Sequence, residues 1–148
     1  MEIKIRKAAV SDFAAIFSLI HELSVFEKTP YKLTNSLERM IKEENYFHAF
    51  VAINTDDEII GYATYNIVYY TWVGKSIYMD DLYVKSAYRG VGAGSKLIQH
   101  VIDFAKESGF HKVRWQVSEW NTPAIAFYKK LGAEIDAVEK NCDLILSK

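Results

Sequence analysis

The feature that most constrains this chain is a run with glycine at every second position, Tyr88-Arg-Gly-Val-Gly-Ala-Gly-Ser95. Ile77-Tyr-Met-Asp-Asp-Leu-Tyr-Val84 precedes it and reads as a strand. After it, Leu97, Ile98, Val101, Ile102 and Ala105 recur at helical spacing as far as Ser108. A strand that turns on glycine straight into a helix directs the first N–H groups of that helix, and its positive dipole end, into the turn. Such a turn suits an anion, most naturally a phosphate. Arg89 adds a fixed cation with fork geometry at the lip.

The spacing excludes two familiar phosphate loops. A P-loop requires Gly-Lys-Ser/Thr at its end, whereas here Gly94 is followed by Ser95-Lys96. A dinucleotide fingerprint requires a third glycine five positions after the first, and Ser95 or Leu97 stands there instead. A glycine turn without a ligand is the competing explanation of the spacing alone.

Glu2–Ala8 alternates as a strand, and Ser11 is the expected cap of a helix carrying Phe13, Ile16, Phe17, Ile20 and Leu23. A loop at Lys28-Thr-Pro-Tyr31 leads to a shorter helix capped by Thr34 or Asn35, with Leu37, Met40 and Ile41 facing inward. Phe47–Ile53 and Glu58–Tyr70 read as strands joined by the turn Asn54-Thr-Asp-Asp57, and Ser76–Val84 is the next strand. Gly109 ends the helix after the glycine run, and His111–Val117 is a further strand. Asn121 or Thr122 caps a short helix that Gly132 ends, and Ala133–Val138 with Asp143–Leu146 form a final hairpin. Helices and strands alternate only in the second half, so the sheet is expected to be mixed.

A chain of 148 residues suffices for one domain with a core, and no linker or repeat divides it. The net charge of −1 argues against a broad nucleic-acid or membrane surface. No apolar run is long enough to cross a membrane and no leader is visible, so a cytoplasmic protein is expected. The single cysteine, Cys142, excludes an internal disulfide and reads as a small buried hydrophobe. His21, His48, His100 and His111 share no spacing with carboxylates, so no metal is expected.

The run also fits the pattern R/Q-x-x-G-x-G/A, with Arg89, Gly92 and Gly94 on the fixed positions. This resembles the acetyl-coenzyme A pyrophosphate loop of the GNAT superfamily of N-acetyltransferases. Tyr70-Thr-Trp-Val-Gly-Lys75, Tyr78–Val84, Glu119-Trp-Asn-Thr-Pro123 and Phe127-Tyr-Lys129 resemble its diamine (spermidine/spermine) acetyltransferase branch. The resemblance implies an α/β fold in which residues 1–148 form a single N-acetyltransferase domain. Its central sheet would be mixed, mostly antiparallel and twisted, with six to seven strands and four flanking helices. It implies acetyl-CoA as donor, with its pyrophosphate on Arg89, Gly90, Val91, Gly92, Ala93, Gly94 and Ser95. The backbone of Leu82, Tyr83 and Val84 would pair with the pantetheine arm, which makes physical sense for a peptide-like arm on a strand edge. Asn121, beside its role as a cap, and Ala124 would also touch the cofactor.

Acetyl transfer to an amine requires gripping the cofactor, deprotonating the amine and stabilising the leaving thiolate. At pH 7 a primary amine of pKa about 10.4 is deprotonated at a cost of roughly 4.6 kcal/mol, and a nearby carboxylate can organise that step. Asp80 and Asp81 sit side by side in an apolar strand, where aspartate is disfavoured. Strand alternation sends them to opposite faces. The resemblance implies that Asp80 accepts the proton, directly or through a water, although the branch usually has glutamate there. It implies that Tyr128 protonates the thiolate. A tyrosine near pKa 10 gives its proton to a thiolate near 8.5 only uphill, by roughly 2 kcal/mol, so a hydrogen bond serves nearly as well.

The acceptor is expected to be a small primary amine, held by Glu27, Asp80, Asp81 and Glu119. The segment Glu27-Lys-Thr-Pro-Tyr-Lys32 mixes acids with lysines, which suits a small diamine or a lysine-like amino acid as well as a polyamine. A protein lysine or N-terminal acetyltransferase and a non-catalytic acetyl-CoA sensor are the alternatives. The resemblance also implies a homodimer.

Overall fold

The computed structural model describes residues 2–146. They fall into two compact units, one reaching Trp115 and the second beginning at Gln116.

In the first unit five strands lie in sequence order across one sheet: β1 (Lys4–Lys7), β2 (His48–Ile53), β3 (Ile59–Tyr70), β4 (Gly74–Val84) and β5 (Val113–Arg114). Three of the four pairings are antiparallel, and β4 with β5 is parallel. The parallel pair is the one joined through a helix, α3 (Ala93–Glu107). The hairpin turn between β2 and β3 lies where expected, with the Asn54 side-chain oxygen accepting the N–H groups of Asp56 and Glu58.

Both faces of the sheet are covered. On one, α1 (Phe13–Phe26) and α2 (Leu37–Lys42) bury Phe13, Ile16, Leu19 and Met40 against Val51, Tyr62 and Tyr83. On the other, α3 buries Leu97, Ile98, Val101 and Ala105. There Phe50 contacts the rings of Tyr65, His100 and Phe104 at 4.5–5.7 Å. Tyr62 and Tyr83 are cross-strand partners on the first face, and Tyr65 and Met79 are partners on the second.

Several sequence expectations change. Ser11 does not cap α1. A 3-10 turn, Val10–Asp12, precedes the helix, and Asp12 stands at its N-cap position without a side-chain capping bond to it. The Asp12 carboxylate accepts from Arg6 at 2.7 and 2.9 Å and from the Ala9 N–H at 2.7 Å, which ties β1 to the start of α1. Ser36, not Thr34 or Asn35, caps α2 by accepting from the Arg39 N–H. The strand at His111–Val117 shrinks to the two residues of β5.

In the second unit α4 (Thr122–Lys130) is capped by Asn121, with Pro123 in its first turn. The expected hairpin of Ala133–Val138 and Asp143–Leu146 is absent from the described residues, so the sheet has five strands rather than six to seven. Val138, Leu144, Ile145 and Leu146 are exposed, and an alternating pattern without an apolar surface to cover does not hold a hairpin. Cys142 is exposed, not buried. No described helix is long and apolar enough to cross a membrane.

Candidate active site

The site is built on an irregularity in β4. The β3–β4 register runs Gly61↔Val84, Tyr62↔Tyr83 and Ala63↔Leu82, then resumes at Tyr65↔Met79. Between these pairs Asp80 and Asp81 together oppose the single residue Thr64, so the strand carries a β-bulge. The bulge corrects the expectation that the two aspartates face opposite ways. Met79 shares the α3 face with Tyr65, while Tyr83, four residues on, shares the α1 face with Tyr62. Four residues of regular strand would keep one face; the extra residue reverses the phase and brings Asp80 and Asp81 to the same side.

Both aspartates line a cavity of about 280 Å³ with Asn35, Tyr46, His48, Thr64 and Asn66. Asp81 also borders a second lobe of about 220 Å³, with Ser24, Glu27, Thr29 and Lys32. Ile20 of α1 and Asp81 belong to both lobes. The Asp81 N–H donates to Thr64 Oγ1 at 2.9 Å, and the Tyr62 hydroxyl donates to Asp81 Oδ2 at 2.8 Å.

Burial pushes the Asp81 carboxyl up to about 6; the charge on Asp80 and, more weakly, that on Glu27 add to the rise, while the Tyr62 hydrogen bond opposes it. Asp80 is also raised by desolvation, although part of its surface reaches solvent. Tyr62 is wholly buried, and burial followed by the Asp81 charge holds its hydroxyl in the neutral, donating form. Tyr83 donates to Glu22 Oε1 at 3.2 Å, so a fourth carboxylate stands on the same face.

Nothing in the sequence marks Tyr62, Thr64 or Asn66, and it marks Asn35 only as a possible helix cap and His48 only as an isolated histidine. The first two become visible only once the bulge sets their register against Asp81. The four histidines are scattered, and no group of three His, Cys, Asp or Glu side chains among the described residues could hold a metal.

Beyond the bulge, β4 runs into the glycine turn. A 3-10 turn at Ser86–Tyr88 leads to Arg89, whose Nε donates to the Val84 carbonyl at 3.0 Å while its guanidinium lies over Phe26 and Tyr83. Gly92 is the N-cap of α3 at φ 87°, a left-handed conformation that a side chain would strain. No side chain caps this helix start, and the turn is closed by Lys96 N–H donating to Gly92 O. The N–H groups of Ala93, Gly94 and Ser95 therefore stand at the uncapped positive end of a 15-residue helix. On the β5 side, β4 is paired only at Ile77 and Tyr78, so Leu82–Val84 have a strand edge with no partner strand among the described residues.

Glu119, Asn121, Ala124 and Tyr128 belong to the second unit. Asn121 Oδ1 accepts from the Ala124 N–H at 3.4 Å, which fulfils its expected capping role. Tyr128 is buried in α4 with its ring 5.5 Å from that of Phe127, and Glu119 is exposed.

A mixed sheet, an uncapped helix behind a glycine turn and a strand left open beside it agree with the acyltransferase class that the sequence resemblance implies. Residues 12–133 match the acetyltransferase (GNAT) family, and the chain belongs to it. It is an acetyl-CoA-dependent N-acetyltransferase. It is 37% identical over 142 residues to the thialysine N-epsilon-acetyltransferase of Mus musculus, spanning 88% of this chain and 84% of that one. It is 26% identical over 140 residues to the spermidine/spermine N(1)-acetyltransferase-like protein 1 of Homo sapiens, spanning 88% of this chain but 20% of that protein. The fold superposes on the crystal structure of an aminoglycoside acetyltransferase from an uncultured soil metagenomic sample. The TM-score is 0.80, with 26% identity and 97% of each chain covered.

Proposed function

We propose that residues 1–148 form one domain that transfers acetyl from acetyl-CoA directly to a primary amine of a small molecule, a diamine, a polyamine or a lysine-like amino acid. The observation that carries this reading is the bulge that turns two adjacent carboxylates into one open cleft. An ammonium group is the natural guest of such a cleft, because Asp80, Asp81 and Glu27 attract it and the cavity holds a short chain.

In this reading Arg89, Gly90, Val91, Gly92, Ala93, Gly94 and Ser95 cradle the pyrophosphate, and Leu82, Tyr83 and Val84 pair with the pantetheine arm. By the family resemblance Asn121 and Ala124 would also touch the cofactor, and Glu119 the acceptor. The carboxylate pair at the bulge, Asp80 by family resemblance, takes the amine proton, and Tyr128 supplies one to the leaving sulfur. Overall, R–NH3+ and acetyl-CoA give R–NH–acetyl, CoA–SH and one proton.

Lys32 in the second lobe favours an acceptor that bears a carboxylate, in keeping with the thialysine named for the mouse relative. The protein would act in the cytoplasm as a homodimer; exposed Ile67, Tyr69, Trp72 and Val73 near the β3–β4 turn offer a surface for a second copy. The test is release of free thiol from acetyl-CoA with L-lysine, thialysine, cadaverine, spermidine and a lysine-containing peptide. Turnover of the amino acids or diamines is expected. Turnover of the peptide alone would replace this reading with a protein acetyltransferase.

A further inference from the structure

We propose that Phe26 is a positioning residue for the donor, holding the Arg89 guanidinium where the pyrophosphate of acetyl-CoA is to bind. The assignment rests on the cofactor reading above, in which Arg89 belongs to the pyrophosphate cradle, and names what sets that cation in place.

The glycine turn has little around it. A Cβ built on Gly90 or on Gly92 meets nothing within 4 Å beyond its own chain neighbours, so no packing fixes the turn from outside. Its place is set by the residues that enter it. The Tyr88 hydroxyl donates to Glu58 Oε1 at 3.0 Å and accepts from Asn54 Nδ2 at 3.2 Å, which ties this residue to the β2–β3 turn. Arg89, the next residue, is tied to the end of α1. Its guanidinium carbon lies over the ring of Phe26, the last residue of α1, at 4.9 Å and over that of Tyr83 at 5.3 Å. The two rings are 6.5 Å apart and inclined at 60°, so the cation meets two aromatic faces. Its Nε is committed to the Val84 carbonyl at 3.0 Å.

The kind of contact matters. Among the described residues no carboxylate forms an ion pair with Arg89. An arginine in an ion pair must give up its acid before it takes a phosphate. One held on aromatic faces keeps its charge and its terminal N–H groups for the anion. Phe26 and Tyr83 therefore preorganise the cation without neutralising it. Tyr83 has further roles, because it is buried in the α1 face of the core and its hydroxyl donates to Glu22. Phe26 is 39% exposed, so replacing its ring removes one face over Arg89 with little loss of core packing.

The experiment compares two donors. Acetyl-CoA Kd is measured by calorimetry without acceptor, so the identity of the amine does not bear on it. Thiol release gives kcat at saturating acetyl-CoA, and kcat/KM for S-acetylpantetheine, which carries the thioester and the arm but no pyrophosphate. The variants are Phe26→Leu, Phe26→Tyr, Arg89→Gln and the double variant of Phe26→Leu with Arg89→Gln. Arg89→Gln is expected to weaken acetyl-CoA binding by about 10- to 100-fold. Phe26→Leu keeps an apolar side chain without the aromatic face, and is expected to weaken it by about fivefold. In Phe26→Leu, kcat and the kcat/KM of S-acetylpantetheine are expected to stay at wild-type values. Phe26→Tyr restores the ring and is expected to bind as wild type does. The double variant is expected to bind no more weakly than Arg89→Gln alone, because the ring acts only through that cation. An equal loss with S-acetylpantetheine in Phe26→Leu, or losses that add in the double variant, would show a general disturbance and overturn the assignment. So would an acetyl-CoA Kd that Arg89→Gln raises and Phe26→Leu leaves alone, in which case the cradle reading stands without Phe26. A Kd unchanged by Arg89→Gln removes Arg89 from the cradle and this assignment with it.

Discussion

Replacing Gly61 by alanine tests whether the open end of β4 is held in place by the strand behind it. A Cβ at position 61 would lie 2.8 Å from the Tyr83 carbonyl oxygen, 3.1 Å from Val84 Cγ2 and 3.3 Å from Leu97 Cδ1. The nearest atom is backbone, so no rotamer change relieves it, and carbon contacts of good energy begin at about 3.5 Å. The strand must therefore shift by roughly half an ångström, or α3 must lift at Leu97. Overpacking of this kind costs about 1–3 kcal/mol, which for a chain of this size lowers Tm by roughly 3–10 °C. The displaced residues, Tyr83 and Val84, are those whose backbone edge is assigned to the pantetheine arm. Acetyl-CoA binding is therefore expected to weaken by ~3- to 10-fold, about 0.7–1.4 kcal/mol, with the KM of the amine nearly unchanged. Calorimetric melting and titration of acetyl-CoA into the variant measure both effects. A Tm within one degree of wild type, or an amine KM that rises more than the acetyl-CoA Kd, would refute the reasoning.

Three further outcomes are expected. Lys32→Gln should lower kcat/KM for L-lysine relative to cadaverine by no more than about fivefold, because an exposed charge contributes up to about 1 kcal/mol; an unchanged ratio removes Lys32 from acceptor selection. Tyr128→Phe should reduce kcat by about 100-fold with little change in either KM, measured at saturating substrates, and full activity excludes proton donation by this hydroxyl. For Asp12, the Arg6 hydrogen bonds hold the carboxyl below its usual range, so the unfolded chain binds the proton more readily than the folded one. Its stabilisation is complete above the ordinary aspartate range near 4 and disappears as pH falls through the lower folded value. Asp12→Asn should therefore cost about 1–2 kcal/mol at pH 7 in urea unfolding, and the difference from wild type should close towards pH 2. A difference that does not vary with pH would show that the ion pair contributes nothing.

Local patterns were legible wherever one face of an element decides its neighbours. The α3 stripe of Leu97, Ile98, Val101 and Ala105 is buried as its spacing demanded, and Gly92 stands at the helix start that the loop pattern implied. Asn121 caps α4 for the reason its short polar side chain suggested. Patterns that need a distant surface failed. The alternation in 133–138 and 143–146 resembles a hairpin, yet it forms no strand among the described residues, because pairing depends on something apolar to cover. The cap of α1 was misplaced because Asp12 spends its carboxylate on Arg6, six residues earlier, and local capping rules cannot register that competitor.

The site divides along the same line. The sequence by itself determined the local structure on which the donor end is proposed: strand, glycine turn and helix are contiguous, so their geometry follows from local chemistry. It also placed two acids a few residues before that turn. Only the tertiary structure decided where those acids point. A strand has a period of two, and one extra residue against Thr64 inverts it, so Asp80 and Asp81 share a cleft instead of dividing the two faces of the sheet. The register of β3 against β4 also delivers Tyr62 to Asp81 across 19 residues of chain. Register is a property of the pairing of two strands, and neither strand carries it alone.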